Sequence, residues 1–156
     1  MKKAAVLLAD GFEEIEALTA VDLLRRARIY VDTVSISDDY MVHGAHGINV
    51  QTEDLFEEVN FAEFDMIILP GGMPGTKNLE EHKGVLRVVK DFHENGKYIG
   101  AICAAPGILG AMGIFERKES CLLSVSGRET FRGCYHESSG YSGWKYHHQP
   151  GYGNSD

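Results

Sequence analysis

Ala4-Ala5-Val6-Leu7-Leu8-Ala9-Asp10-Gly11-Phe12-Glu13-Glu14-Ile15-Glu16 is the stretch whose reading decides the fold. Its first half is a short apolar run of the kind a strand buried on both faces requires, and Asp10-Gly11 ends it. Its second half opens a helical pattern over Glu14 to Arg26, in which Ile15, Leu18, Val21 and Leu24 recur on one side and predict a core-facing stripe.

The alternation continues down the chain. Val31-Asp32-Thr33-Val34-Ser35-Ile36, Met66-Ile67-Ile68-Leu69 and Tyr98-Ile99-Gly100-Ala101-Ile102 read as further buried strands. Residues 84–95 read as a helix with Val85, Val88, Val89 and Phe92 inward, stopped by Asn95-Gly96. Strands alternating with helices of this length predict an α/β domain with a doubly wound parallel sheet and right-handed crossovers. Residues 39–49 alternate weakly between turn residues and read as a small hairpin or edge strand. From Arg117 onward Ser, Gly, Tyr and His dominate and apolar periodicity ends, so no element is predicted there.

A chain of 156 residues is about one domain, with room for a single core. A net charge of -8 argues against a surface that tracks phosphates, so nucleic acid is not an expected partner. No apolar run approaches the length of a membrane span, and the run after Met1-Lys2-Lys3 is too short for an export signal; a cytoplasmic address is expected. Three cysteines, an odd number, lead to an expectation of reduced thiols rather than a disulfide framework.

In a parallel sheet the ligand crevice lies beyond the carboxyl ends of the strands. Cys103-Ala104-Ala105-Pro106-Gly107 stands there, after a strand and before a helix that can start with Pro106 in its first turn. A cysteine on such a turn is exposed and faces the positive end of a helix dipole, which predicts a thiolate; Ala104 and Ala105 are small enough for the turn. The bland alternative is a buried structural cysteine. Gly71-Gly72, after the third strand, offers backbone N–H groups that can approach a substrate and stabilise an oxyanion. Glu16, on the first turns of the first helix, is placed to donate a hydrogen bond to the sulfur if partial burial keeps it protonated. Glu13 and Glu14 fit a plainer role, satisfying the helix dipole.

Leu8-Ala9-Asp10-Gly11-Phe12-Glu13-Glu14-Ile15-Glu16, Leu69-Pro70-Gly71-Gly72 and Ala101-Ile102-Cys103-Ala104-Ala105-Pro106 stand in an order and spacing that resembles the ThiJ/PfpI superfamily, in its Parkinsonism-associated deglycase (glyoxalase III-like) branch. The resemblance covers about residues 1–115. It implies a flavodoxin-like fold, a homodimer, Cys103 as a nucleophilic and oxidation-sensitive thiol, Glu16 as its hydrogen-bond partner, and Gly72 as a backbone donor beside Ala104. Ala104 stands where the peptidase branch carries a histidine, so that branch's Cys-His dyad is not available at this place. The implied activity is attack on a reactive dicarbonyl such as methylglyoxal, giving a hemithioacetal that rearranges and hydrolyses to a hydroxy acid, with no cofactor. Gly71 and His46 are the expected substrate contacts; for His46 a plain loop histidine is the competing reading. A redox-sensing or chaperone-like stress protein, with Cys103 as the switch, is the alternative function. An amidotransferase-like hydrolase is a third, and it lacks a convincing histidine in residues 1–115.

The last strands and final helix of that family are not legible after residue 115. Read one base later in each codon, with suitable third bases, Arg117-Lys118-Glu119-Ser120-Cys121-Leu122-Leu123-Ser124 becomes G-K-K-A-A-C-Y-P. Trp144 to Asp156 with a TGA stop becomes G-N-I-I-T-S-R-A-M-G-T-A-I. Both resemble the family's own continuation. The expectation is therefore a family-type α/β domain over residues 1–116, incomplete at its C-terminus, and a frame-shifted, disordered tail over 117–156 that impairs the site by uncovering the core. Cys121, Cys134, His136, His147 and His148 match no closed metal spacing, and no metal is expected.

Overall fold

The computed structural model describes residues 1–114 of the protein. The tail reading, with its cysteines and histidines, lies outside the described residues. Within them the chain runs β1 (Lys3–Leu8), α1 (Glu14–Arg26), β2 (Tyr30–Ser35), β3 (Met41–His43), β4 (Asn49–Gln51), β5 (Asp54–Leu55), β6 (Met66–Leu69), α2 (Gly75–Glu81), α3 (Lys83–Glu94), β7 (Tyr98–Ala101) and α4 (Pro106–Ala111). Short 3-10 turns at Phe56–Glu58 and Phe61–Glu63 lead into β6.

The main sheet is parallel, in the order β5-β2-β1-β6-β7. The chain leaves β1 in one direction to β2 and returns on its other side with β6 and β7. The switch point therefore falls between β1 and β6, where an α/β sheet opens its crevice. This is the doubly wound parallel arrangement that the alternation of strands and helices predicts, and the flavodoxin-like fold that the resemblance implies.

Strand periodicity sorts the core. Ala5, Leu7 and Ala9 face one layer, with Ile67, Leu69, Val85, Val89, Phe92 and Leu109. Ala4, Val6 and Leu8 face the other, with Phe12, Ala17, Val21, Val31 and Ile68. Burying two layers of aliphatic and aromatic side chains, each worth about 1.5–3 kcal/mol, is what holds the sheet.

Helix α3 buries Val85, Val88, Val89 and Phe92 as its spacing predicts, and Asn95 with left-handed Gly96 ends it. Helix α1 differs from expectation. Its inward positions are Glu14, Ala17 and Val21, while Ile15 is 74 % exposed and Leu18 lies at the surface. The helix is rotated so that Ala17 and Val21, with Leu24 beside them, pack on the core, while Ile15 and Leu18 are left outward. The weak pattern over 39–49 resolves into an antiparallel hairpin of β3 and β4, outside the main sheet. Among the described residues no helix is long and apolar enough to cross a membrane.

Candidate active site

Beyond the carboxyl ends of β1, β6 and β7 three loops meet, and their glycines let backbone approach backbone. A Cβ on Gly72 (φ +92) would lie 2.4 Å from Glu13 N, and one on Gly75 would lie 2.6 Å from Phe12 N. Hydrogen bonds close the clasp: Glu13 N–H donates to Gly71 O at 2.9 Å, and Gly75 N–H to Gly11 O at 3.1 Å. Only residues without a side chain fit here, which is why the β1 and β6 loops both carry Gly.

Cys103 follows β7 with φ 57, a left-handed conformation that costs a non-glycine residue about 1–3 kcal/mol. Ala105 N–H donates to Ile102 O at 3.0 Å and closes the turn, and Pro106 starts α4. The elbow leaves Cys103 half-buried. A Cβ on Gly71 would meet Glu16 Oε2 at 2.6 Å and Cys103 Cβ at 2.9 Å, so the gap at Gly71 is where Glu16 and Cys103 come together.

Glu16 Oε2 accepts the Gly71 N–H at 2.7 Å. That bond corrects the expectation that Gly71 offers its N–H to a substrate, because the donor is already spent on Glu16. Among the described residues no hydrogen bond takes the Gly72 N–H.

The thiol also departs from expectation. Burial pushes its pKa up, and the Glu16 carboxylate, as acceptor and as charge, pushes it the same way, with Glu13 adding to the rise. The Ala104 N–H, directed at the sulfur, opposes them. Helix α4 is only six residues long, so its dipole is too small to produce the thiolate that the elbow alone predicts. In this pairing Glu16 accepts from the Cys103 thiol.

Glu14 is not the exposed dipole partner that its position suggests. It is 3 % exposed, and its carboxylate is the centre of the hairpin turn. His46 N–H donates to Oε1 at 2.6 Å, Ile48 N–H reaches the same oxygen at 3.4 Å, and His46 Nδ1 stands 2.9 Å from Oε2. Burial pushes Glu14 up, yet these donors outweigh it and hold its pKa at about 2. Gly44 is required because Glu14 Oε1 fills the space of its Cβ, 2.3 Å away.

His46, expected as a substrate contact, is hydrogen-bonded to neither Cys103 nor Glu16. Its ring lies on Glu14, with Glu13 Oε1 at 3.6 Å, and these carboxylates raise its pKa above the ordinary histidine value. Among the described residues, Glu13, Glu14 and His46 are the metal-capable trio, with donor atoms within 4.8 Å of one another. The facing ring nitrogen and the Glu14 oxygens are already engaged with each other and with backbone N–H groups, so the trio is an ion-pair network. Further out, His43 N–H and Nδ1 meet Asp10 Oδ1 at 2.8 and 3.2 Å. Neither Glu14's burial nor the Asp10 pairing has a signal in the sequence beyond a histidine on either side of Gly44-Ala45.

Comparison with known proteins identifies the family and the fold. The profile of the DJ-1/PfpI family matches residues 2–129. Protein DJ-1 homolog B of Arabidopsis thaliana is 34 % identical over 125 residues, 80 % of this chain and 28 % of the relative. The glutathione-independent glyoxalase DJ-1 of Schizosaccharomyces pombe is 29 % identical over 158 residues, 96 % of this chain and 78 % of the relative. The structure of oxidized Toxoplasma gondii DJ-1 superposes with a TM-score of 0.72 at 34 % identity, covering 74 % of this chain and 64 % of that one. The chain spans less than two thirds of the Arabidopsis relative and of the Toxoplasma structure.

Proposed function

The chain belongs to the DJ-1/PfpI family, and from that premise we propose that it is a Cys103-dependent, glyoxalase-type enzyme acting on small reactive dicarbonyls. The observation that carries this is the meeting of Cys103 and Glu16 at the gap beside Gly71, with the Ala104 N–H directed at the sulfur. The name of the Schizosaccharomyces relative supports the same chemistry.

Glu16 takes the proton of the Cys103 thiol as the sulfur adds to the aldehyde carbon of methylglyoxal. The carbonyl electron pair moves to oxygen, and the N–H groups of Gly72 and Ala104 receive the charge. Reprotonation of that oxygen gives a hemithioacetal. A proton shift through an enediol leaves a thioester of the 2-hydroxy acid, and one water hydrolyses it, releasing lactate and the free thiol. The balance is dicarbonyl plus water to hydroxy acid.

Homodimerisation belongs to the same reading. Ile15 at 74 % exposure and Leu18, one turn further along α1, leave apolar helix surface that a second copy would cover. For residues 117–156 we retain the frame-slip reading, supported by the two re-read strings. The family profile reaches residue 129, so sequencing the locus across codons 116–129 is the test.

Lactate formation from methylglyoxal by the wild type, abolished in Cys103→Ser, is the expected result; activity that survives the substitution overturns the proposal. A second reading rests on the half-buried sulfur beside a carboxyl group. Two equivalents of a peroxide would convert the thiol to a sulfinic acid with release of two waters, making Cys103 an oxidation sensor.

A further inference from the structure

We propose that His46 is a positioning residue for the Cys103 thiol, its imidazole using charge carried through Glu13 and Glu14 to set how readily the sulfur ionises. This rests on the reading of Cys103 as the reacting group.

The geometry supplies the path. His46 sits at the tip of the β3–β4 hairpin with its ring Nδ1 between two carboxylates, 2.9 Å from Glu14 Oε2 and 3.6 Å from Glu13 Oε1. Glu13 is fixed to the reacting loop, because its N–H donates to Gly71 O and its nitrogen lies against Gly72. Gly71 in turn abuts Glu16 and Cys103. The negative charge of Glu13 reaches the sulfur and opposes ionisation there. A positive imidazole 3.6 Å from the Glu13 carboxylate offsets part of that field.

The tautomer completes the device. Neutral His46 donates Nδ1–H to Glu14 and keeps the turn in place. A second proton, taken from solvent at the other ring nitrogen, adds charge without breaking the contact. The side chain is two thirds exposed, so that proton exchanges freely. The groups that face His46 are Glu13 and Glu14 from the start of α1, while the neighbouring His43 is occupied by Asp10. The groups that face Cys103 are Glu16, Glu13 and the Ala104 N–H.

The sign follows. Below the pKa of His46 its positive charge makes the Cys103 thiol more acidic; as pH rises and that charge is lost, the thiol becomes harder to ionise. Thiolate then increases with pH less steeply than for an isolated cysteine, and the hairpin buffers the site's reactivity against pH.

The test is the rate at which iodoacetamide alkylates Cys103, the thiolate displacing iodide, followed on the Cys103 peptide by mass spectrometry from about pH 5.5 to 9.5. In the wild type the logarithm of the rate should rise with a slope below one across the titration of His46. His46→Asn keeps a neutral donor near the Nδ1 position and cannot charge. It should give unit slope, with a rate about two- to threefold below wild type near pH 6 and no difference near pH 9. His46→Ala should share the low-pH deficit. A His46→Asn profile that superimposes on the wild type overturns the proposal. Alkylation reads the thiol whether or not dicarbonyl is turned over, so absent lactate formation with an intact His46 effect would sink the enzymatic reading and leave this one standing.

Discussion

The loop between β1 and α1 is gripped from two sides by different means. Toward β6 it is held mainly by backbone against glycine, through Gly11, Gly72 and Gly75, with the Asn78 side-chain amide donating to Asp10 O at 2.9 Å, and none of these groups titrates. Toward the β3–β4 hairpin it is held largely by carboxylates, Asp10 on His43 and Glu14 on His46 and Ile48. The first grip is steric and indifferent to pH. The second is electrostatic and responds to it. The pair of residues that meets at Gly71 is fixed by the first grip, and its field is adjusted by the second.

Gly72→Ala should break the steric grip outright. The new Cβ would meet Glu13 N at 2.4 Å in a backbone of φ +92, and neither side is a side chain that can turn away. A loss of about 3 kcal/mol or more in urea unfolding is expected, combining left-handed strain with overpacking. Gly107→Ala is the control. Among the described residues nothing lies within 4 Å of its Cβ position inside α4, so the change should be neutral or stabilising by up to about 1 kcal/mol. Equal losses from the two substitutions would mean that the clasp is not what makes Gly72 necessary.

Glu14→Gln tests the electrostatic grip, and its effect should be smaller and confined to one region. The amide can still accept from the turn, but it loses its charge toward His46. Faster hydrogen exchange at His46 and Ile48, with α3 unchanged, is the expected outcome. The pH dependence has two sides. Glu14, depressed to about 2, contributes stability that is complete above the ordinary glutamate range and is lost as pH falls toward 2. His46, raised, contributes stability that is complete below the ordinary histidine value and is lost as pH rises through its folded pKa. Protection of the turn should therefore peak between about pH 4.5 and 6.5. Glu14→Gln should flatten that peak, and a maximum that persists in the variant would detach it from this pair.

The two grips were unequally legible in the sequence. Pro70-Gly71-Gly72 and the turn after Ile102 stand out because glycine and a strand-to-helix junction have few physical uses, and they led to Cys103 and Glu16 directly. Glu14 did not stand out. A carboxylate at a helix start has an ordinary explanation in the dipole, and its burial depends on a hairpin turn folding back over it from residues 44–48, which no local pattern records. Helix α1 misled for a related reason. Ile15 and Leu18 make the more apolar stripe, but close packing against β1 favours Ala17, and the hydrophobic pattern cannot distinguish a core face from a face kept for another surface. The acidity of Cys103 was misjudged because the elbow supplies one favourable dipole, whereas burial and Glu16 act together against it.

Asp10→Asn should produce the smallest effect, and its size sharpens the contrast between the two carboxylates of the same loop. Asp10 and His43 are each more than half exposed, so their attraction is weakened by water and salt. Asparagine retains an oxygen that can accept the His43 N–H now bonded to Oδ1 at 2.8 Å. The neighbouring backbone bond, Gly11 N–H to His43 O at 2.7 Å, is untouched and keeps β3 beside the loop. A change within about 0.5 kcal/mol in urea unfolding is expected, the ordinary worth of an exposed ion pair. The hydrogen-exchange maximum at His46 and Ile48 should stay where it was. A shift of that maximum in Asp10→Asn would show that the two carboxylates act on the hairpin as one unit, and the pH response assigned to Glu14 and His46 would have to be shared between both pairs.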